Sequence, residues 1–280
     1  MNGIVSTAWL AERVGRDALR LLDCRGSFAV YEEFHLPTAQ FLHIETLRMT
    51  EGGIPCKMHR LDVLAAIFGQ LGITRETPVV AYTFDPSDQL SACYTAWSLA
   101  VTGHPSVLVL NGGMQRWHDE DRPLTQQFPA AARADYQAAF VAEYFADLPY
   151  VRDRLGDGDV ALVDSRTRPS YNGTEGPTIR RGHIPGAILH NYLWDFGPDG
   201  AYLPLDALRE RYARQGITPE KEIITYCVTG REGSSVWFVL KYLLGYPHVR
   251  LYQASLTEWS ADFTLPMVLG NAPWGEANAA

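Results

Sequence analysis

The second half of this 280-residue chain repeats the local order of the first. The stretch LGITRETPVVAYT, ending at Thr83, matches QGITPEKEIITYC, ending at Cys227, without a gap: Gly72 and Gly216, like Tyr82 and Tyr226, lie 144 residues apart. Around it, RLLDCRG answers VALVDSRT, each an apolar run closing in Asp-x-Arg (Asp23/Arg25 and Asp164/Arg166). HLPTA at His35 answers HIPGA at His183, and GHPSVLVLNGGMQRW from Gly103 answers GYPHVRLYQASLTEW from Gly245. Self-similarity this long and this well ordered means one supersecondary unit folded twice.

Within each repeat, β-rich runs alternate with helical stretches. The runs Leu19 to Leu22, Val79 to Thr83 and Val107 to Leu110, then Val160 to Val163, Ile223 to Tyr226 and Val249 to Tyr252, are largely apolar and do not alternate, as in strands covered on both faces. HRLDVLAAIFGQLG and SVWFVLKYLLG are the helical stretches between them. The expected class is α/β: two domains, each a small, mainly parallel sheet with helices on both faces. The segment DEDRPLTQQFPAAARADYQAA has no strand or helix period and reads as the connection. The division expected is a first domain at residues 1–125, a linker at 126–144 and a second domain at 145–280. The second opens on a helix in ADLPYVRDRL, with Leu148, Val151 and Leu155 at helical spacing.

A net charge of −8, a pI near 5.5 and the lack of any Lys/Arg run argue against a nucleic-acid footprint or an anionic membrane surface. No apolar stretch approaches the roughly 20 residues needed to span a bilayer, and the N-terminus carries no secretory pattern, so a cytoplasmic protein is expected. The scattered cysteines, Cys24, Cys56, Cys93 and Cys227, suit a reducing compartment. Without a Cys-x-x-Cys pair or a His cluster at ligand spacing, no metal is expected.

Cys227 ends an apolar strand, and VTGREGSS leads from it directly into a helix. In an open α/β sheet ligands bind beyond the carboxyl ends of strands, where the next helix presents its amides. Gly230 and Gly233 allow the loop to curl until several N–H groups converge, and Ser234 or Ser235 is expected to cap the helix. Such a cradle favours an anion and stabilises a thiolate or a charged sulfur adduct. A free cysteine is ordinarily a small buried hydrophobe; the strand, glycine loop and helix order makes Cys227 a candidate nucleophile, and the other three cysteines lack that setting. In the first repeat Thr83 takes the equivalent position, and its loop, FDPSDQLSA, is acidic and contains Pro86. Only the second repeat looks chemically competent.

These landmarks, together with RRGHIPGA, YCVTG and the TEW ending at Trp259, make the chain resemble the tandem-domain rhodanese family of thiosulfate and 3-mercaptopyruvate sulfurtransferases over nearly its whole length. The resemblance implies that Cys227 accepts a sulfane sulfur as a persulfide from a small anionic donor and passes it to cyanide or a thiol, without a cofactor. It implies a substrate-binding loop of Val228, Thr229, Gly230, Arg231, Glu232 and Gly233. Asp164 and Arg166 are read as scaffold, since buried opposite charges usually occur paired, and His183 as a structural histidine. His35 has the same structural reading, with a minor donor-binding role open to it because the silent domain of family members leans over the active cleft.

Three positions depart from the family pattern. The sixth residue of the cysteine loop, commonly Arg or Thr, is Glu232 and follows Arg231; aimed inward it repels an anion and raises the thiol pKa, aimed outward it leaves the anion site to Arg231. The Arg expected before Tyr171 is Ser170, for which Arg168, Arg180 or Arg181 is a candidate substitute. The usual YDGS reads YQAS at Tyr252 to Ser255. A thiosulfate-type enzyme is expected ahead of a 3-mercaptopyruvate type. The alternative is a degenerate module that binds an anion or a protein without efficient turnover. A phosphatase with Cys-x5-Arg is set aside, because Gly233 stands where that Arg would be.

Overall fold

A computed structural model of the chain describes residues 3–16, 19–84, 89–130 and 133–275. The chain separates into two compact units: Met1–Met49, Met58–Val141 and Phe196–Leu203 form one, and Thr50–Lys57, Ala142–Asp195 and Pro204–Ala280 the other.

In chain order the strands up to Leu110 are β1 (Gly3–Val5), β2 (Arg20–Asp23), β3 (Gln40–Phe41), β4 (Arg48–Glu51), β5 (Ile54–Met58), β6 (Val79–Tyr82) and β7 (Val107–Leu110). The helices are α1 (Thr7–Ala11), α2 (Phe28–Glu33), α3 (Leu61–Gln70), α4 (Gln89–Val101) and α5 (Gly113–Asp119). Five strands form a wholly parallel sheet in the order β1-β7-β6-β2-β3. Its central strands, VVAY and VLVL, are buried at every residue, which explains their unbroken apolarity. Strands β4 and β5 pair separately as a hairpin, whose Gly52-Gly53 turn has φ of +60° and +78°, the left-handed pair a two-residue turn requires. That hairpin was not expected from the sequence, although EGGIPCKM carries its turn signal.

The second unit repeats the design with β8 (Phe145–Ala146), β9 (Val160–Asp164), β10 (Ile188–Leu189), β11 (Glu222–Tyr226) and β12 (Val249–Tyr252), all parallel, in the order β10-β9-β11-β12-β8. Its helices are α6 (Leu148–Arg152), α7 (Arg168–Asn172), α8 (Leu205–Arg214), α9 (Arg231–Phe238) and α10 (Ser255–Trp259). The six strands expected from the sequence are each present to within a residue at either end. Helix α6 starts where Asp147 accepts the Tyr150 amide at 2.9 Å, and it buries Val151. Residues 134–141, read above as linker, lie along the first unit: Ala134, Ala139 and Val141 donate their amides to Gly69, Thr102 and Val101, and Tyr136 is buried with its hydroxyl 2.8 Å from Thr102 Oγ1. No helix among the described residues is long and apolar enough to cross a membrane.

Helix α9 corrects one expectation. It begins at Arg231, with Gly230 at the N-cap in left-handed conformation, so Ser234 and Ser235 lie inside it instead of capping it. Ser234 Oγ instead donates to the Arg231 carbonyl at 2.6 Å.

Candidate active site

Cys227 follows the last residue of β11 and is wholly buried. The backbone amides of Thr229 and Gly233 act to lower its thiol pKa, as those of a loop curled around the sulfur do. Helix α10 stitches the loop in place: Leu256 N donates to Cys227 O at 3.2 Å, and Thr257 donates to Val228 O through its amide at 3.0 Å and its hydroxyl at 2.7 Å. Gly230 is required at φ +83°, where a Cβ would stand 2.5 Å from the Gln253 carbonyl oxygen. Gly233 has another reason: its φ is ordinary, but a Cβ would come within 2.9 Å of Leu251 Cδ1 and 3.2 Å of Tyr226 Cα.

Ser255, which the sequence reading passed over, holds the cysteine itself. It has φ +54°, uncommon outside glycine, and its Oγ accepts the Cys227 amide at 3.1 Å while donating to Tyr252 O at 2.7 Å. The first repeat shows what the backbone prefers there. Gly113 occupies the matching place at φ +60°, and Met114 and Gln115 donate to Thr83 O and Phe84 O at 2.8 Å just as Leu256 and Thr257 do here. The repeat alignment of Gly113 with Ser255 was the available signal.

Glu232 acts on the Cys227 thiol. Burial is the main cause that drives the Cys227 thiol well above its ordinary range; the Glu232 carboxylate adds to it by charge and by accepting the thiol's hydrogen bond, and the amides of Gly233 and Thr229 oppose it.

Asp164 and Arg166 are fully buried and doubly bonded, with Arg166 Nε and Nη2 donating to Asp164 at 2.9 and 2.6 Å and Nη2 also to Gly182 O at 2.8 Å. The Tyr226 hydroxyl joins Asp164 and accepts the Ile184 amide at 3.2 Å. Asp23, Arg25, Tyr82 and Leu36 form the same latch in the first unit. Present in both repeats, it ties the sheet's carboxyl edge to the loop after the histidine.

His183 stacks on Tyr171 at 3.7 Å, and its ring nitrogens lie 2.9 and 3.3 Å from the carbonyls of Tyr171 and Pro273. His35 is equally enclosed, 2.8 and 3.1 Å from the carbonyls of Tyr31 and Gln127. Its ring has no face or nitrogen left for a donor, so the minor binding role considered for it is dropped. The arginines are corrected too. Arg180 spends its guanidinium on four carbonyls, those of Trp259, Ser260, Asp262 and Leu265, at 2.6 to 3.0 Å. Arg168 and Arg181 are exposed, bonded at 3.4 Å to Asn271 Oδ1 and Thr174 O. Arg180, committed to its carbonyls, cannot replace the Arg missing at Ser170.

A cleft of about 330 Å³ opens beside the loop, walled by Ile54 and Pro55 of the hairpin, Ile179, Val228, Thr229 and Thr257. Among the described residues its wall carries no cationic side chain, and the buried hydroxyl of Ser260 there has no hydrogen-bond partner. Two contacts fix the hairpin wall: Lys57 Nζ sits 2.7 Å from Glu258 Oε1, and Gln253 Nε2 donates to the Cys56 carbonyl. In the first unit, Thr83, at the position of Cys227, keeps a buried hydroxyl with no partner among the described residues. The acidic stretch at residues 85–88, including Pro86, lies outside the described residues.

A rhodanese-like domain profile matches residues 6–120 and again 147–262, the two repeats in turn. This chain belongs to the rhodanese family. The rhodanese is 33% identical to the sulfur carrier protein TtuD of Thermus thermophilus across 95% of its own length and 96% of that protein's. It is 34% identical to a thiosulfate sulfurtransferase of Pseudomonas aeruginosa across 91% and 93%. In fold it is similar to the anaerobic ergothioneine biosynthesis enzyme from Chlorobium limicola, with a TM-score of 0.84, 24% identity and coverage of 96% of this chain and 70% of that one.

Proposed function

We propose that this rhodanese is a sulfurtransferase that carries a sulfane sulfur as a persulfide on Cys227, with thiosulfate as donor and cyanide or a thiol as acceptor. The observation that carries the reading is the placement of Sγ at the end of β11, against the amides of Thr229 and Gly233. A persulfide extends the cysteine by one atom and holds its charge on the outer sulfur, where such a ring of N–H groups is worth most. In loading, Sγ attacks the outer sulfur of thiosulfate and sulfite leaves with the bonding pair; in unloading, the acceptor attacks that sulfur and Sγ is released. Thiosulfate is favoured by the names of the relatives, and the cleft beside Val228 and Thr229 is the approach we assign to the acceptor. The catalytic domain is then the second of the division at 1–125, 126–144 and 145–280, completed by the hairpin residues Thr50–Lys57.

One observation favours a second reading, a module that binds without efficient turnover: Glu232 raises the thiol it faces and adds negative charge where an anionic donor would arrive. The test is common to both. Protein is incubated with thiosulfate or with 3-mercaptopyruvate, its intact mass is measured, and cyanide is added to read thiocyanate. The gain of one sulfur on Cys227 and its loss to cyanide support transfer; no gain with either donor leaves the binding module.

A further inference from the structure

We infer that the cleft beside the cysteine loop selects its sulfur acceptor by charge: it takes a small thiol with a short apolar chain and an uncharged polar end, and turns away anionic thiols. The inference rests on the sulfur-transfer reading above and names the class of acceptor. Its basis is what the wall offers. Ile54, Pro55, Pro177, Ile179 and Val228 line a space of about 330 Å³. Ile179 is 69% exposed, a branched apolar side chain left in water where an apolar acceptor would cover it.

No residue of that wall is cationic. The basic residues that flank it in sequence are already committed: Lys57 sits 2.7 Å from Glu258 Oε1, and Arg180, directly after Ile179, holds four carbonyls. A persulfide holds its charge on the outer sulfur, and the acceptor attacks as a thiolate. A carboxylate on the acceptor adds one more negative charge in a space of low polarity with no cation in the wall to offset it, a repulsion worth about tenfold or more in rate.

One hydroxyl of the wall is left over. Thr178 Oγ1 donates to Arg180 O at 2.8 Å, and Thr257 Oγ1 to Val228 O at 2.7 Å. Ser260 is 1% exposed; its amide donates to Leu256 O at 2.9 Å and its carbonyl accepts Arg180 Nε at 3.0 Å, yet its hydroxyl has no partner. A buried hydroxyl in that state costs free energy that a bound group can recover. An alcohol or amide on the acceptor chain supplies the bond without bringing charge.

The transfer balances without a further reactant. The acceptor thiolate attacks the outer sulfur and a new S–S bond forms; the Sγ–S bond breaks with its electron pair going to Sγ. One proton passes through solvent from the acceptor thiol to Cys227, so protein persulfide and RSH become protein thiol and RSSH.

Protein loaded from thiosulfate or inorganic polysulfide, then freed of excess donor, is mixed with 3-mercapto-1-propanol, 1-propanethiol or 3-mercaptopropionate. Loss of the sulfur is timed by intact mass, with cyanide as the reference acceptor and circular dichroism confirming the fold of each variant. Rates are taken per thiolate and divided by those of the same thiol with inorganic polysulfide, which leaves the preference of the protein alone. The alcohol is expected to outrun the carboxylate by about tenfold. Ile179→Lys should erase or reverse that preference while Ile179→Gln keeps it, and Ser260→Ala should cost the alcohol about fivefold relative to 1-propanethiol. The carboxylate matching the alcohol in wild type, a preference that survives Ile179→Lys, or an unchanged alcohol-to-propanethiol ratio in Ser260→Ala overturns the inference, and release of the sulfur to cyanide in the same samples leaves the sulfur-transfer reading standing. Wild type that loads from neither donor removes both.

Discussion

Replacing Ser255 separates two things the native residue combines: a strained backbone and a hydrogen bond to the reactive cysteine. At φ +54° an L-residue costs about 1–2 kcal/mol relative to an unstrained conformation. It is held there because Oγ accepts the Cys227 amide at 3.1 Å and donates to Tyr252 O at 2.7 Å. Alanine keeps the strain and deletes both bonds, leaving a fully buried amide without its acceptor, a loss of about 2–4 kcal/mol. Glycine deletes the same bonds but relaxes the backbone, and after its own entropy cost it recovers about 1 kcal/mol of that loss. Urea denaturation followed by tryptophan fluorescence reads the order, because Trp237 and Trp259 are buried in this unit. Stability is expected to fall from wild type to Ser255→Gly to Ser255→Ala, and persulfide loading to fall equally in both variants, since both unpin the cysteine. Two results refute the reasoning. Ser255→Ala within about 0.5 kcal/mol of wild type denies the hydrogen bond its weight, a change no larger than an ordinary surface substitution; Ser255→Gly less stable than Ser255→Ala denies the strain.

Gly230→Ala puts a Cβ 2.5 Å from the Gln253 carbonyl at φ +83°, so a loss of about 2 kcal/mol or more and a failure to load sulfur are expected, checked by denaturation and intact mass. Arg180→Lys cannot span four carbonyls with one ammonium; a loss on the order of 2 kcal/mol is expected in urea denaturation, with weakened cyanide saturation as the Ser260 side of the cleft shifts. Burial raises the Cys227 thiol, so the unfolded chain loses that proton first, near pH 8.5. Its contribution to stability is complete below that pH and is lost as pH rises toward the folded value. The wild-type Tm should therefore drop more steeply than that of Cys227→Ala between about pH 7.5 and 9.5; parallel slopes would count against it.

The architecture was legible because strands covered on both faces leave unbroken apolar runs, and because the repeat let each half check the other. The cysteine loop was legible for the same reason: Thr83 and Cys227 share a backbone position, and only one carries chemistry. What stayed hidden depends on side-chain direction and on partners distant in sequence. No pattern in CVTGREG tells whether Glu232 turns toward the sulfur, since one rotation about its side chain decides it. Arg180 looked available because its four carbonyl partners lie 79 to 85 residues further on. Ser255 escaped notice because serine has no intrinsic preference for the left-handed region, and its conformation belongs to a turn that only the repeat, through Gly113 at φ +60°, reveals.

The hairpin residues Thr50–Lys57, counted with the second unit, bear on how such a chain evolves after duplication. Two copies of a gene segment ordinarily begin as separable modules, each carrying what it needs. Here the copy that carries Thr83 in place of the cysteine supplies Ile54 and Pro55 to the cleft wall, Lys57 to Glu258 and a carbonyl to Gln253. A C-terminal half severed after Val141 would keep the cysteine and its cradle but lose one side of the cleft that serves them. The duplicate has moved from redundancy to dependence, and that dependence gives selection a reason to retain a repeat with no thiol of its own at that position.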